Sequence, residues 1–255
     1  MNPAIVGALT FALTFGAALA GIWLRARLPQ HFLDGESKDT IKVGVGFIAT
    51  MTALVLGLVT ASAKNSFDAM DSAVKETAMQ VLALDSTLRR YGTDSTPIRQ
   101  HLQKALETRI RMIWPEGSSE PIRLDPTRSE VGSMVEGLAD EIRGLRPGND
   151  LQRALQSRAV EQTEVLLQTR WFVLGGTRHL VPMLFLVILL FWLTITFTSY
   201  GLFAPRNTMV ISVLFLCAVS VGSALFLVLE MDGPFTGVLR VSPDLFLSAL
   251  AHLKQ

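Results

Sequence analysis

Cysteine is almost missing from the chain, with Cys217 alone among 255 residues. That excludes a disulfide scaffold and any Cys-rich zinc or iron–sulfur centre, and its apolar surroundings predict a thiol packed as a small hydrophobe. Four scattered histidines supply no ordinary His/Cys ligand spacing, so no metal and no cofactor is expected. Charge is scarce too: 18% of residues are charged, against about a quarter in soluble proteins. A net charge of +1 leaves no basic footprint for nucleic acid. Enzyme signatures are equally absent, with no P-loop, dinucleotide fingerprint, zinc-protease helix or serine elbow. The expectation is that the protein is not an enzyme and has no catalytic residue, with His101, His179 and His252 serving as interface or surface residues.

What the chain has instead is apolar length. Hydrophobic residues make up 49% of it, and the mean hydropathy is +0.39. A membrane-crossing helix needs about 20 mostly apolar residues, and four windows meet that requirement: Ile5 to Leu24, Val43 to Ala63, Leu180 to Phe203 and Met209 to Leu229. These spans predict a multi-pass protein of the cell membrane, with the lipid bilayer as its first partner. Ala18-Leu19-Ala20 has the look of a signal-peptide cleavage site, but no Lys or Arg precedes it while Arg25 and Arg27 follow, so the first window reads as a retained helix.

Four spans place the N-terminus, the middle segment and the tail on one side of the membrane, and the short connections 25 to 42 and 204 to 208 on the other. The connections carry Arg25, Arg27, Lys38, Lys42 and Arg206, and the opposite side carries Lys64, Lys75, Arg170, Arg178, Arg240 and Lys254, mostly in a long segment that counts for less. The count leans toward short connections inside and the middle segment outside.

The middle segment, Lys64 to His179, holds sixteen basic and sixteen acidic residues and almost no β-branched runs, which excludes both a charged tail and a sheet. Apolar residues recur at helical spacing in Ile98, Leu102, Leu106 and Ile110, and again in Val131, Val135, Leu138, Ile142 and Leu145, with Thr127 and Glu130 as a capping box. Breaks fall at Gly92 to Pro97, Pro115 to Pro126 and Arg146 to Asn149. Two long helices, about 64 to 91 and 150 to 175, are therefore expected around two shorter ones. No Gly or Pro separates the second span from Ala63-Lys64-Asn65-Ser66-Phe67, so that helix should continue unbroken. Gly175-Gly176 and Pro182 interrupt the return. The fold class read from this pattern is all-α, a polytopic membrane protein with four transmembrane helices and a helical extramembrane domain inserted between spans two and three. Its segments are 1–63, 64–179, 180–229 and an interfacial tail 230–255. In the tail, Ser242 and Pro243 set up a short helix that should lie along the interface or dock on a partner helix.

Gly46, Thr50, Ala53, Gly57, Thr60 and Lys64 follow one another at steps of four and three, which keeps them on one helix face. Two readings of this small, polar stripe stand side by side: a seam that lets neighbouring helices approach closely, or the wall of a pore surrounded by several copies of the helix. Phe47, Met51, Leu54 and Leu58 lie opposite, as a lipid-facing or packed surface. In the first span Ala12, Gly16 and Ala20 read as a packing face. Ser212, Ser220 and Ser223 in the fourth, with Thr194, Thr196 and Thr198 in the third, can satisfy their hydroxyls on their own helices.

Glu230 and Asp232 close the fourth span. They read either as interfacial carboxylates, solvated or paired with Lys64, Arg170 or Arg178, or as a gate or ion-binding ring in an oligomer. His31, Asp34, Glu36 and Asp39 read as a turn at Asp34-Gly35 followed by Asp39 capping the second span, rather than as a metal cluster.

The order of spans, Asp39-Thr40-Ile41-Lys42 before a Gly-rich second span, Lys64-Asn65-Ser66-Phe67 after it, and above all Glu230 to Gly237 followed by Val241-Ser242-Pro243 resemble the bacterial bestrophin-like membrane-protein family. The likeness covers nearly the whole chain. It implies similarity to bestrophin anion channels: a homo-oligomer, a pentamer by analogy, conducting inorganic ions through a pore lined by the second span, with a helical domain in the cytoplasm. That side is opposite to the one favoured by the charge count. The second span has no cluster of aromatic residues to form the bestrophins' hydrophobic neck, and no acidic run corresponds to their calcium clasp. The function expected is an oligomeric ion channel whose helical domain forms a vestibule or gate. The alternative is a non-conducting membrane scaffold or sensor whose helical domain binds a partner.

Overall fold

The computed structural model describes residues 2–27, 35–114, 130–175, 183–205, 207–235 and 237–254, with the side chains of 35–38, 130–134 and 169–175 outside the description. Among the described residues the regular structure is entirely helical: α1 (Pro3–Arg27), α2 (Gly35–Tyr91), α3 (Thr96–Ile113), α4 (Glu130–Arg143), α5 (Asp150–Gly175), α6 (Met183–Phe203), α7 (Thr208–Met231) and α8 (Asp244–Leu253). Four of the described helices, α1, α2, α6 and α7, are long and apolar enough to cross a membrane. α2 runs 57 residues without a break, through Ala63 to Phe67, where no Gly or Pro interrupts it. It also begins at Gly35, earlier than expected. Asp39 therefore lies inside the helix and pairs with Lys42 at 3.4 Å instead of capping it, while the proposed turn residue Asp34 lies outside the described residues.

The chain forms two compact units: Met1–Asn65 with Leu180–Asp232, and Ser66–His179 with Gly233–Gln255. In the first, α1 packs on α6 and α7 around Ala17, Ala18, Leu189, Leu193, Phe197, Leu214, Ala218 and Leu225. Two glycine pairs set the helix separations. At Gly21 and Gly201 the backbones of α1 and α6 touch so closely that a Cβ on Gly201 would lie 2.0 Å from the carbonyl oxygen of Ala18, and one on Gly21 would lie 2.1 Å from that of Thr198. Gly7 and Gly222 perform the same service between α1 and α7, with a Cβ on either meeting the other helix at 2.9 Å. The expected packing face Ala12, Gly16 and Ala20 is instead exposed, and nothing lies within 4 Å of a Cβ built at Gly16. The face that packs is Gly7, Thr10, Thr14, Ala17, Ala18 and Gly21. Thr10 and Thr14 are compatible with this dry contact because each hydroxyl donates to a carbonyl one turn back, at 2.8 Å.

The second unit gathers its core from every helix it contains. Val74, Val81, Leu84 and Leu88 of α2 meet Leu102 and Leu106 of α3, Leu138 and Ile142 of α4, Ala159 and Leu166 of α5, and Phe246 and Leu253 of α8. α2 ends at Tyr91 because Gly92 takes a φ of 120°, and Pro97 then sits at the start of α3. Ser95 secures this corner by donating to Leu88 O at 2.5 Å. Asp85 clamps it: its carboxylate, 1% exposed, accepts from Arg99 of α3 at 2.7 Å and from Arg89 at 3.4 Å. Asp85→Asn removes the charge at constant shape and leaves two guanidiniums beside a neutral amide. Because those side chains are 23% and 44% exposed and keep some water, the expected cost is about 2 kcal/mol, below the range for fully buried pairs. It should be read as a lowered Tm of the detergent-solubilised protein, and an unchanged Tm would refute the clamp.

The tail is part of this unit. α8 packs on α3, Trp114 Nε1–H donates to Val241 O at 2.9 Å, and the Trp114 ring contacts Phe235 and Phe246. Lys254 pairs with Glu107 at 3.0 Å. Hydrogen bonds from Lys254 and Gln103 hold the Glu107 carboxyl below the ordinary glutamate range. α8 begins at Asp244, whose N–H donates to Ser242 Oγ at 3.2 Å, so the expected helix start is displaced by one residue.

Candidate functional site

An α-helix turns by about 100° per residue, so its side chains divide into faces that can each meet a different environment. The membrane-length part of α2 has three. Val45, Thr52 and Ala63 are buried within the chain, with Val55 and Leu56 half-buried against the α1, α6 and α7 core. Phe47 and Leu54, 66% and 67% exposed, form a second face together with Met51 and Leu58. The stripe Gly46, Thr50, Ala53, Gly57, Thr60 and Lys64 forms the third. Their centres are roughly 120° apart by helical phase.

The stripe is open. Gly46, Thr50, Ala53, Gly57 and Lys64 are exposed and Thr60 half-buried, and a Cβ built on Gly46 or Gly57 meets nothing within 4 Å. The absence of side chains at these two positions is therefore not explained by packing in the protein's own chain. Thr50 donates to Gly46 O at 2.9 Å and Thr60 to Leu56 O at 2.7 Å. Their hydrogens are committed to the helix, and oxygen lone pairs are what this face offers to water. The sequence pattern located the stripe but split the helix only into a stripe and its opposite side. The buried third, centred on Thr52, escaped notice because Val, Thr and Ala there differ little in size from the stripe's own residues.

Glu230 lies in the last turn of α7 and is buried, at 4% exposure, and Asp232 is the half-buried C-cap residue. The carbonyl end of a helix is its negative pole, so two carboxylates there oppose the local field. Such placement is costly unless the charges are paired or hydrogen-bonded, and both Glu230 and Asp232 make polar interactions within the fold. The burial of Glu230 was not legible in the sequence, where Gly233 and Pro234 suggest a helix stopping at the interface with its carboxylates solvated or paired. Arg170 and Arg178, considered as partners for these acids, lie outside the described side chains. No group of three or more His, Cys, Asp or Glu suited to a metal occurs among the described residues. Cys217, expected to pack inside, is exposed on α7. The hydroxyls of Ser212, Ser220, Thr194, Thr196 and Thr198 donate to carbonyls of their own helices, as expected.

No curated protein matches the chain. Crystal structures of a bacterial bestrophin homologue from Klebsiella pneumoniae share its fold. Two single-substitution forms superpose with TM-scores of 0.69 and 0.67 at 14% identity, covering 96% and 97% of both chains respectively. A third structure of that homologue gives a TM-score of 0.67 at 14% identity over 96% of each chain. Identity this low speaks for the fold alone. The bestrophin-like domain, however, is matched by sequence over residues 12–246, from the first apolar helix into α8. By that match the chain belongs to the bestrophin-like family, and it is a membrane protein.

Proposed function

We propose that the protein is the subunit of an oligomeric ion channel, with α2 of each copy lining the pore through Gly46, Thr50, Ala53, Gly57, Thr60 and Lys64. The observation that carries this reading is the openness of a small, hydroxyl-bearing face on a membrane-length helix whose packing against its own chain uses a different face. A lipid-facing surface has no use for exposed glycine and threonine, whereas a water-filled path does. Family membership supports the same reading, since bestrophins are ion channels. In this reading Glu230 and Asp232, one pair per subunit, act as a gate or ion-binding ring, and the helical unit forms a vestibule or gate. A ring multiplies the field of a single carboxylate.

The test is current from the purified protein in planar bilayers under asymmetric salt. Discrete currents are expected, and their reversal potential gives the sign of the permeant ion, to which Lys64 and the two carboxylates contribute in opposite directions. In a Cys217→Ala background, charged thiol reagents should reduce the current of Thr50→Cys and Gly57→Cys while leaving Phe47→Cys and Leu54→Cys unchanged. Silence from a folded oligomer, or equal modification of both faces, counts against a pore on this face and for the scaffold.

A further inference from the structure

At the end of α1, Arg25 and Arg27 differ in what they do. Arg25 donates to the carbonyl oxygen of Ala204, just beyond the last turn of α6, which places the ends of α1 and α6 together. Arg27 is exposed and stacks its guanidinium carbon 4.7 Å from the centre of the Trp23 ring, which is itself 57% exposed. Tyr200, one turn before the end of α6, is exposed as well. Trp and Tyr at the same end of two apolar helices mark the headgroup level of a bilayer, where an amphipathic ring is most stable.

We infer that Trp23 and Arg27 form a site for the phosphate of an anionic phospholipid. The ring lies to one side of the guanidinium, and the exposed head of Arg27 keeps N–H groups toward solvent that match phosphate oxygens in a two-pronged hydrogen bond. The stack also limits the rotamers that Arg27 must give up on binding, which lowers the cost of the contact. Charge complementarity points the same way: α1 contains no acidic residue, and the first one in the chain is Asp34. The lipid supplies what a free anion lacks, acyl chains that lie along the exposed apolar side of α1 at Leu13, Leu19 and Leu24.

Native mass spectrometry of the full-length protein in detergent, titrated with phosphatidylglycerol or phosphatidylcholine of identical acyl chains, tests this. Phosphatidylglycerol should be retained with roughly tenfold higher affinity, the discrimination expected of one charge-assisted contact. Arg27→Gln should reduce it to the level of phosphatidylcholine, and Arg27→Lys should restore part of the difference. Excess inorganic phosphate should leave lipid retention unchanged. Equal retention of both lipids by the native chain, undiminished preference in Arg27→Gln, or displacement by inorganic phosphate would overturn the assignment.

Discussion

Gly201→Val is expected to prevent accumulation of folded protein, and Gly201→Ala to lower its stability by about 3 kcal/mol or more. At this crossing even a methyl group would sit 2.0 Å from the carbonyl oxygen of Ala18. The obstacle is backbone, which cannot rotate aside as a side chain would, so accommodation requires α1 and α6 to separate. Separation loosens the packing of Ala17, Ala18, Leu189 and Leu193 along both helices. Overpacking of ordinary cores costs about 1–3 kcal/mol, and a main-chain collision belongs at or beyond the top of that range. Gly21→Ala should behave alike, since it meets Thr198 from the other side. Gly16→Ala is the control. Its position is open, and alanine's higher helix propensity should leave stability equal or slightly greater. Size-exclusion yield and Tm in detergent measure all four variants, and a well-folded Gly201→Val protein would mean that the helices do not cross as described.

The second large effect concerns conduction. Gly57→Phe should abolish single-channel current while the oligomer persists. Nothing of the protein's own chain lies within 4 Å of a Cβ built at Gly57, so the subunit should fold and the consequence should fall on whatever occupies the space beside it. In a pore the occupant is water and ions, and a ring contributed by every subunit excludes them. In a helix seam it is another helix, and bulk there forces the copies apart. Measuring oligomer mass and current on the same preparation separates the two: silent and assembled supports the pore, whereas dispersed into monomers supports the scaffold.

The four membrane-length helices were legible because apolar length is a property of consecutive residues, α3 and α4 because Ile98, Leu102 and Leu106 or Val135, Leu138 and Ile142 repeat at the helical period, and α5 because breakers at Arg146 to Asn149 and at Gly175 bound it. The continuity of α2 followed from the lack of a breaker between Ala63 and Phe67. What could not be read was which small residues meet a partner. Ala12, Gly16 and Ala20 are spaced as well as Gly7, Ala17, Ala18 and Gly21, and inside an apolar helix neither set differs in hydrophobicity, so only the positions of α6 and α7 decide between them. The stripe on α2 was visible because threonine and lysine mark it chemically. Its openness toward the outside of the chain, and the burial of Glu230, are facts of three-dimensional neighbourhood that no periodicity encodes. The capping pair Thr127 and Glu130 falls at the edge of the described residues: Thr127 lies outside them, and Glu130 is the first residue of α4 within them.

The participation of α8 in the helical unit imposes an order on biosynthesis. Leu84, Leu102 and Leu138 leave the ribosome well before Phe246, Ala249 and Leu253, which complete the same core, and α6 and α7 are translated in between. During that interval, of the order of seconds at cellular rates of synthesis, the nascent unit must hold an unfilled apolar site while two further membrane-length helices are made. Final closure of the domain thus waits on the synthesis of α6 and α7, and a premature stop after α7 would release a chain with all four apolar helices made and an open core for the quality-control machinery to find.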